Sequence, residues 1–217
     1  MEVYNFADHP SLVNQYMSEL RDKDIQRDML RFRRNLERIG EIMAYEISRR
    51  LRYRTERVTT PLADADCRVL DEQIVLATIF RAGLPFHKGF LDYFDRAQNA
   101  FVSAYRKYTD ENHFDVFIEY MASPRLDGKT LILVDPMLAT GSSMELAYRA
   151  LVNKGIPAEV HICSVIASRQ AVDYLRDNLP AENATLWMGA IDPELNAHSY
   201  IVPGLGDAGD LAYGEKE

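Results

Sequence analysis

The sequence predicts an α/β fold: a mainly parallel sheet flanked by helices, with an N-terminal helical segment and a β-hairpin arm. Three observations carry this. Apolar runs of strand length recur at QIVLATIF (73–80), TLILVD (130–135), EVHICSVIA (159–167) and ATLWMGAID (184–192). Helical stretches lie between several of them. The runs are apolar almost throughout rather than alternating, as in strands buried on both faces.

The elements follow in order. The first fifty residues read as helix. Ile25, Met29, Phe32, Leu36, Ile39, Met43, Ile47 and Leu51 recur every three or four positions, the period of one helix face. Arg31, Arg33, Arg34, Glu37, Arg38 and Glu41 lie between them. That cluster reads as a solvated face, its arginines paired with Glu37 and Glu41, in preference to a phosphate site. After Tyr53 the pattern changes, and strands are read from residue 73 onward. Leu84–Phe94, Ser143–Lys154 and Ser168–Leu179 read as connecting helices, with Gly155 as a helix stop. FVSAY (101–105) and FDVFIEYMA (114–122), separated by the polar stretch Arg106–His113, predict a hairpin arm over 101–127 that is the candidate lid.

The chain has 217 residues. At about 150 residues per domain, that is a single domain, 1–217, with residues 1–52 as its N-terminal helices. Hydrophobic residues make up 47% and charged residues 27%, which excludes a disordered or fibrous chain. The formal charge of −8 argues against non-specific nucleic-acid binding, which needs clustered Lys and Arg. No apolar run approaches the roughly 18 residues of a membrane helix, and the start, MEVYNFADHP, does not resemble a signal peptide. The two cysteines, Cys67 and Cys163, form no disulfide framework; Cys163, inside HICSVIA, reads as a small buried hydrophobe. The expected compartment is the cytoplasm.

Three motif matches fail. GLGDAG (204–209) has the letters of a dinucleotide fingerprint, but only eight residues follow it, with no room for the required helix and strand. Gly128-Lys129-Thr130 precedes a strand and has Ser123 where a P-loop needs glycine. The five histidines and two cysteines lack the short spacing of a zinc site.

The strong signal is LILVDPMLATGSSMELAYRAL. A strand ends at Asp135, a turn runs through Pro136, Met137, Leu138, Ala139, Thr140 and Gly141, and a helix starts near Ser142. Ser142-x-x-Glu145 has the form of a capping box. Open α/β sheets bind ligands beyond the carboxyl ends of their strands. A helix start offers free N–H groups and a favourable dipole to a phosphate. Thr140, Ser142 and Ser143 add hydroxyls, Gly141 permits close approach, and Asp135 directs a carboxylate at a sugar diol. The alternative is a plain strand–turn–helix corner with a capping serine.

DPMLATGSS resembles the 5-phosphoribose-binding loop of phosphoribosyltransferases, in the form found in uracil phosphoribosyltransferases. FRAGL (80–84) resembles that family's pyrophosphate loop, Tyr105-Arg106 its second basic contact, and YIVPGLGDAGD (200–210) its uracil-binding signature. A weaker likeness covers the N-terminal helix up to Tyr45-Glu46 and TTPL (59–62). The chain departs from the family at Ser142, where glycine is usual, at Leu211, where a basic residue is common, and along 106–127.

The resemblance implies a phosphoribosyltransferase-type fold and the conversion of uracil and 5-phosphoribosyl 1-diphosphate (PRPP) to UMP and pyrophosphate in pyrimidine salvage. It assigns PRPP to Arg81, Arg106, Asp135, Pro136, Met137, Leu138, Ala139, Thr140, Gly141, Ser142, Ser143 and Asp207. It assigns uracil to Ile201, Gly206, Asp207 and Ala208, within a C-terminal base-binding segment, 200–217. Arg106, Asp135 and Asp207 take the electrostatic and positioning roles in catalysis. Magnesium arrives with PRPP, near Asp207, without a dedicated protein site. The resemblance also brings a homodimer or higher homo-oligomer and GTP as an effector. Two rivals are a non-enzymatic uridine-nucleotide sensor on the same fold and an enzyme for another base. Purine enzymes of this kind often carry two adjacent acids, whereas Asp135 is followed by Pro136.

Overall fold

A computed structural model describes residues 1–108, 114–180 and 182–215; the side chains of 105–108 and 114–116 lie outside the description. In chain order the elements are β1 (Glu2–Asn5), α1 (Leu12–Arg21), α2 (Met29–Ser48), β2 (Tyr53–Thr59), β3 (Asp64–Leu70), β4 (Ile74–Phe80), α3 (Gly83–Tyr93), β5 (Gln98–Tyr108), β6 (Phe114–Ala122), β7 (Thr130–Val134), β8 (Met137–Leu138), α4 (Ser142–Val152), β9 (Glu159–Ser168), α5 (Arg169–Asn178), β10 (Ala184–Asp192), β11 (Glu194–Leu195), β12 (Ile201–Val202) and α6 (Ala208–Tyr213).

The main sheet runs β1-β10-β9-β7-β4-β5-β6, with β8 added beside β9. Its pairings are parallel except β5 with β6. Side chains alternate between its two faces. Ile74, Leu76, Ile132, Val134, Cys163 and Val165 join a core with α1, α2 and α3. Val75, Ala77, Leu131, Leu133, Val160 and Ile162 join a second core with α4 and α5. The sheet is therefore covered on both sides, which is why its strands read as continuous apolar runs.

The topology also locates a crevice. From β4 the chain moves through α3 to β5 on one side. From β7 it moves through α4 to β9 on the other. β4 and β7 are neighbours, so the direction of winding reverses between them. Ligands of open α/β sheets bind at such a reversal.

Four sequence expectations are corrected. Residues 2–5 are not helical; they form β1, held by parallel pairing to β10 and by Tyr4 stacked on Trp187 at 4.3 Å. The helical face does not extend back to Ile25. Asp28 caps α2 by accepting from Arg31 N, and Ile25 and Met29 are exposed while Phe32 to Leu51 of that series are buried. The arginine cluster pairs more widely than expected. Arg34 meets Glu37, but Arg31 reaches Glu19 on α1, and Arg33 donates to the Ala212 carbonyl of α6 at 2.7 Å. Residues 53–70, given no elements beforehand, form the antiparallel hairpin β2–β3, largely exposed.

Cys163 is fully buried, and neither cysteine is in a disulfide. Among the described residues no helix is long and apolar enough to cross a membrane.

Two buried histidines give the fold a pH dependence. His161 is completely covered, and its Nδ1 accepts from the indole N–H of Trp187 at 3.1 Å. An indole only donates, so the imidazole proton sits on Nε2. His87 pairs through Nε2 with Asn99 Oδ1 at 2.8 Å. Burial pushes both rings from 6.5 down to about 4. Between those values the unfolded chain binds protons that the folded chain refuses. Stability is therefore complete above about pH 6.5 and falls as pH drops toward 4, by on the order of 3 kcal/mol per histidine. Urea unfolding at pH 7, 5.5 and 4.5 reads this slope. It should shrink in His87→Phe, and an unchanged slope there would remove His87 as a source.

Candidate active site

The crevice between β4 and β7 opens into a cavity of about 430 Å³. Three segments line it.

The first follows β4. The Phe80–Arg81 peptide is cis. The Arg81 guanidinium donates from Nη2 to Asp210 Oδ1 at 3.0 Å and from Nη1 to the Gly214 carbonyl at 3.3 Å. Its Nε is buried without a hydrogen-bond partner among the described residues.

The second is the loop after β7. Asp135 N donates to Cys163 O at 3.1 Å, and its Oδ1 accepts from Met137 N at 3.3 Å. Ile166 N donates to Pro136 O at 3.0 Å, and β8 pairs with β9. Ser168 Oγ donates to Ala139 O at 2.6 Å while accepting from Ala171 N at 2.9 Å, so one buried hydroxyl caps α5 and ties down the loop. Gly141, at φ +86°, is the N-cap of α4, and a Cβ there would lie 2.8 Å from the Tyr174 ring. A side chain there would be strained by that backbone and crowded by that ring. The loop is held through its backbone groups by β9 and Ser168, and the start of α4 opens on the cavity through Gly141, Ser143 and Met144.

The expected capping box is absent. Gly141 takes the cap position, and Ser142 is the first helical residue. The Ser142 hydroxyl pairs with Thr140 Oγ1 at 2.8 Å. Glu145 does not reach back; it accepts from Arg149 at 2.7 Å and from the Tyr174 hydroxyl.

The third segment is C-terminal. Asn196 Oδ1 accepts from both His198 N and Tyr200 N at 2.9 Å, which turns Ser199 and Tyr200 toward the cavity. Asp207 is the N-cap of α6, accepting through Oδ1 from Gly209 N at 2.8 Å and Asp210 N at 3.0 Å. Ala208 N lies 3.3 Å from Met137 Sδ, which joins this segment to the loop after β7.

Of the residues singled out in the sequence, Arg81, Asp135, Met137, Leu138, Ala139, Thr140, Gly141, Ser143, Asp207 and Ala208 line one cavity. Pro136, Ser142, Ile201 and Gly206 do not line it. The Ile201 side chain is buried in the core, which leaves its backbone for any contact with a ligand. The Arg106 side chain lies outside the described residues, although its backbone belongs to β5. Ala104 and Ser199 were not singled out, yet they line the cavity; Phe80, Tyr200 and Gly209, which lay within FRAGL and YIVPGLGDAGD without an assigned role, line it too. Tyr200 opens the segment YIVPGLGDAGD, and position within that motif was the available signal.

The model of the uracil phosphoribosyltransferase family matches residues 7–215. The chain belongs to the uracil phosphoribosyltransferase family. A uracil phosphoribosyltransferase of Porphyromonas gingivalis is 62% identical over the whole of both chains. One from Methanothermobacter thermautotrophicus is 38% identical, covering 94% of this chain and 92% of its own. Among solved structures, the AQ2163 protein of Aquifex aeolicus superimposes with a TM-score of 0.87 at 28% identity, over 98% of each chain. A hypoxanthine phosphoribosyltransferase of Staphylococcus aureus, at 12% identity and a TM-score of 0.50 over 74% of each chain, shares the fold. The membership accounts for the family resemblance of all three cavity segments.

Ser168 tests the rigidity of the loop. Ser168→Ala removes a helix cap worth about 1 kcal/mol and leaves the Ala139 carbonyl unpaired at about 1–3 kcal/mol. Urea unfolding should show a loss of about 2–4 kcal/mol by those terms. A loss under about 0.5 kcal/mol, the level of an ordinary surface change, would mean the loop does not depend on this hydroxyl.

Proposed function

We propose that the chain transfers the 5-phosphoribosyl group of PRPP to uracil, giving UMP and pyrophosphate. The observation that carries this is the convergence of three family motifs on one cavity at the reversal of the sheet. Family membership supports the choice of base.

In this reading the loop from Met137 to Ser143 and the start of α4 bind the 5′-phosphate. Asp135 orients the ribose hydroxyls. Arg81, with Arg106, binds the diphosphate. The C-terminal segment presents the base in line. The bond from the anomeric carbon to the diphosphate oxygen breaks, and its electron pair leaves with pyrophosphate. The uracil N1 forms the new C–N bond and releases its proton to solvent. Negative charge builds on the leaving group, so donors that tighten there lower the barrier. Each charge-assisted hydrogen bond is worth roughly 1.5–3 kcal/mol.

Magnesium belongs to the same reading, carried by PRPP. Asp135 and Asp207 line the cavity and offer hard oxygen donors that suit an ion keeping most of its ligands from substrate and water. Bound there, such an ion would neutralise part of the diphosphate charge. A cytoplasmic role in pyrimidine salvage, as a homodimer or higher homo-oligomer with GTP as an effector, completes the proposal.

Two measurements test it. Asp135→Ala should lower turnover with uracil and PRPP by on the order of 10² or more, since misplaced reactants forfeit the advantage of orientation, while the protein stays folded by circular dichroism. Near-normal turnover would remove Asp135 from the mechanism. Competition between bases tests the pocket. A fixed backbone that accepts from uracil N3–H faces the unprotonated N3 and amino group of cytosine. Unpaired polar groups of that kind discriminate by on the order of 10⁴. Uracil should exclude cytosine, and 5-fluorouracil should be accepted. Comparable turnover of cytosine, or preference for a purine, would overturn the base assignment.

A further inference from the structure

A pair of residues behind the cavity fixes the shape of the base-binding segment. Asp192 ends β10 and Arg21 ends α1. The Asp192 side chain is 7% exposed and that of Arg21 25%. They meet fork to fork, Nη2 to Oδ1 at 2.6 Å and Nη1 to Oδ2 at 2.7 Å. Nη1 also donates to the Gly204 carbonyl at 2.9 Å, and Gly204 N donates to Asp192 Oδ2 at 2.8 Å. One ion pair thus takes both backbone groups of Gly204.

Gly204 has no freedom to move within this grip. It adopts φ +64°, and a Cβ there would collide with the Ile201 carbonyl. The turn 201–204 is therefore pinned to the end of β10. The other end of the segment is pinned where Asp207 caps α6 and Ala208 N meets Met137 Sδ. Between the pins lie Leu205, which is buried, and Gly206, which is exposed. Burial raises the Asp192 carboxyl pKa, but the donors from Arg21 and Gly204 outweigh burial and hold it below the ordinary aspartate value.

We propose that Arg21 and Asp192 are positioning residues for base recognition. They set affinity and selectivity for the base by fixing the backbone of 201–208, without touching the base. The proposal rests on the assignment of that segment to uracil. The reason is mechanical. Backbone groups discriminate between bases only while they cannot turn, because a carbonyl free to rotate leaves no donor facing a donor. A bidentate arginine–carboxylate fork supplies that rigidity where a single neutral bond would leave a hinge.

Steady-state kinetics with uracil, cytosine and PRPP test it, using Arg21→Gln, Arg21→Lys, Asp192→Asn and Gly206→Val. Arg21→Gln should raise the KM for uracil by about tenfold or more, a change of one lost hydrogen bond, and narrow the uracil-to-cytosine ratio by a similar factor. The KM for PRPP should stay within about twofold, because uniform binding of the other substrate is untouched. Arg21→Lys, which keeps the charge but not the fork, should recover only part of the loss. Asp192→Asn keeps the shape and an acceptor for Gly204, and carries the same readout if the arginine variants do not fold. A lowered melting temperature with unchanged uracil KM and selectivity would make the pair merely structural and overturn the proposal. Gly206→Val reads the segment itself. An unchanged uracil KM there overturns the base assignment and the proposal with it. A raised KM there, with Arg21→Gln and Asp192→Asn like the parent, overturns the clamp alone.

Discussion

The cavity exists because a parallel sheet has to be buried on both faces. Along β4, β7 and β9 successive side chains enter two different cores. A parallel connection must cross over one face or the other. α3 crosses over one face after β4, and α4 over the other after β7. The loops that leave these adjacent strands therefore part company, and Arg81 and Asp135 stand on either side of the gap. Each is the first residue after a strand whose burial is already required.

What fills the gap is mostly backbone, and that backbone is fixed from behind. Pro136 O, Ala139 O and Asp135 N are each satisfied by β9 or by Ser168 at its end. A loop with its outward polar groups already paired cannot collapse into its own cavity. It also has little reorganisation to undergo when a ligand arrives, which is the condition under which oriented N–H groups stabilise charge most. Gly141 shows how narrow the solution is, since both its φ and the Tyr174 ring disfavour a side chain.

The strands β4, β7, β9 and β10 were legible because continuous apolar runs have few alternatives. β1 was not legible. EVYN carries no such run, and its strand state comes from β10 and from the face of Trp187, far along the chain. β2 and β3 were missed because YRTERVT and DADCRVL bury almost nothing, so no periodicity marks them. At the site, the stretch from Asp135 to Ser143 was legible because it is local, a strand end, a turn and a helix start. Ser142 was misread because a serine at the cap and a serine one position later look alike in sequence; Gly141 takes the cap instead. Arg21, Asp192 and Gly204 were invisible for a different reason. Arg21 is separated from its two partners by 171 and 183 positions, and no short pattern joins them.

An acidic chain proposed to bind a highly charged anion needs local charge arranged against its own average. Arg81 shows how this is done without freezing the site. It is paired with Asp210, and the two side chains are 36% and 35% exposed. An ion pair that open to water is worth about 0–1 kcal/mol. Charge-assisted hydrogen bonds to a diphosphate are worth roughly 1.5–3 kcal/mol each. If Arg81 binds the diphosphate as proposed, exchange of the Asp210 carboxylate for it is then favourable. The resting pair holds the guanidinium beside the cavity but does not compete strongly for it. Asp210 lies on α6, directly after the segment assigned to the base, and α6 is also held by Arg33 on the Ala212 carbonyl and by Ala208 N on Met137 Sδ. In the proposed reading the diphosphate contact at Arg81 and the segment assigned to the base thus meet on a single short helix.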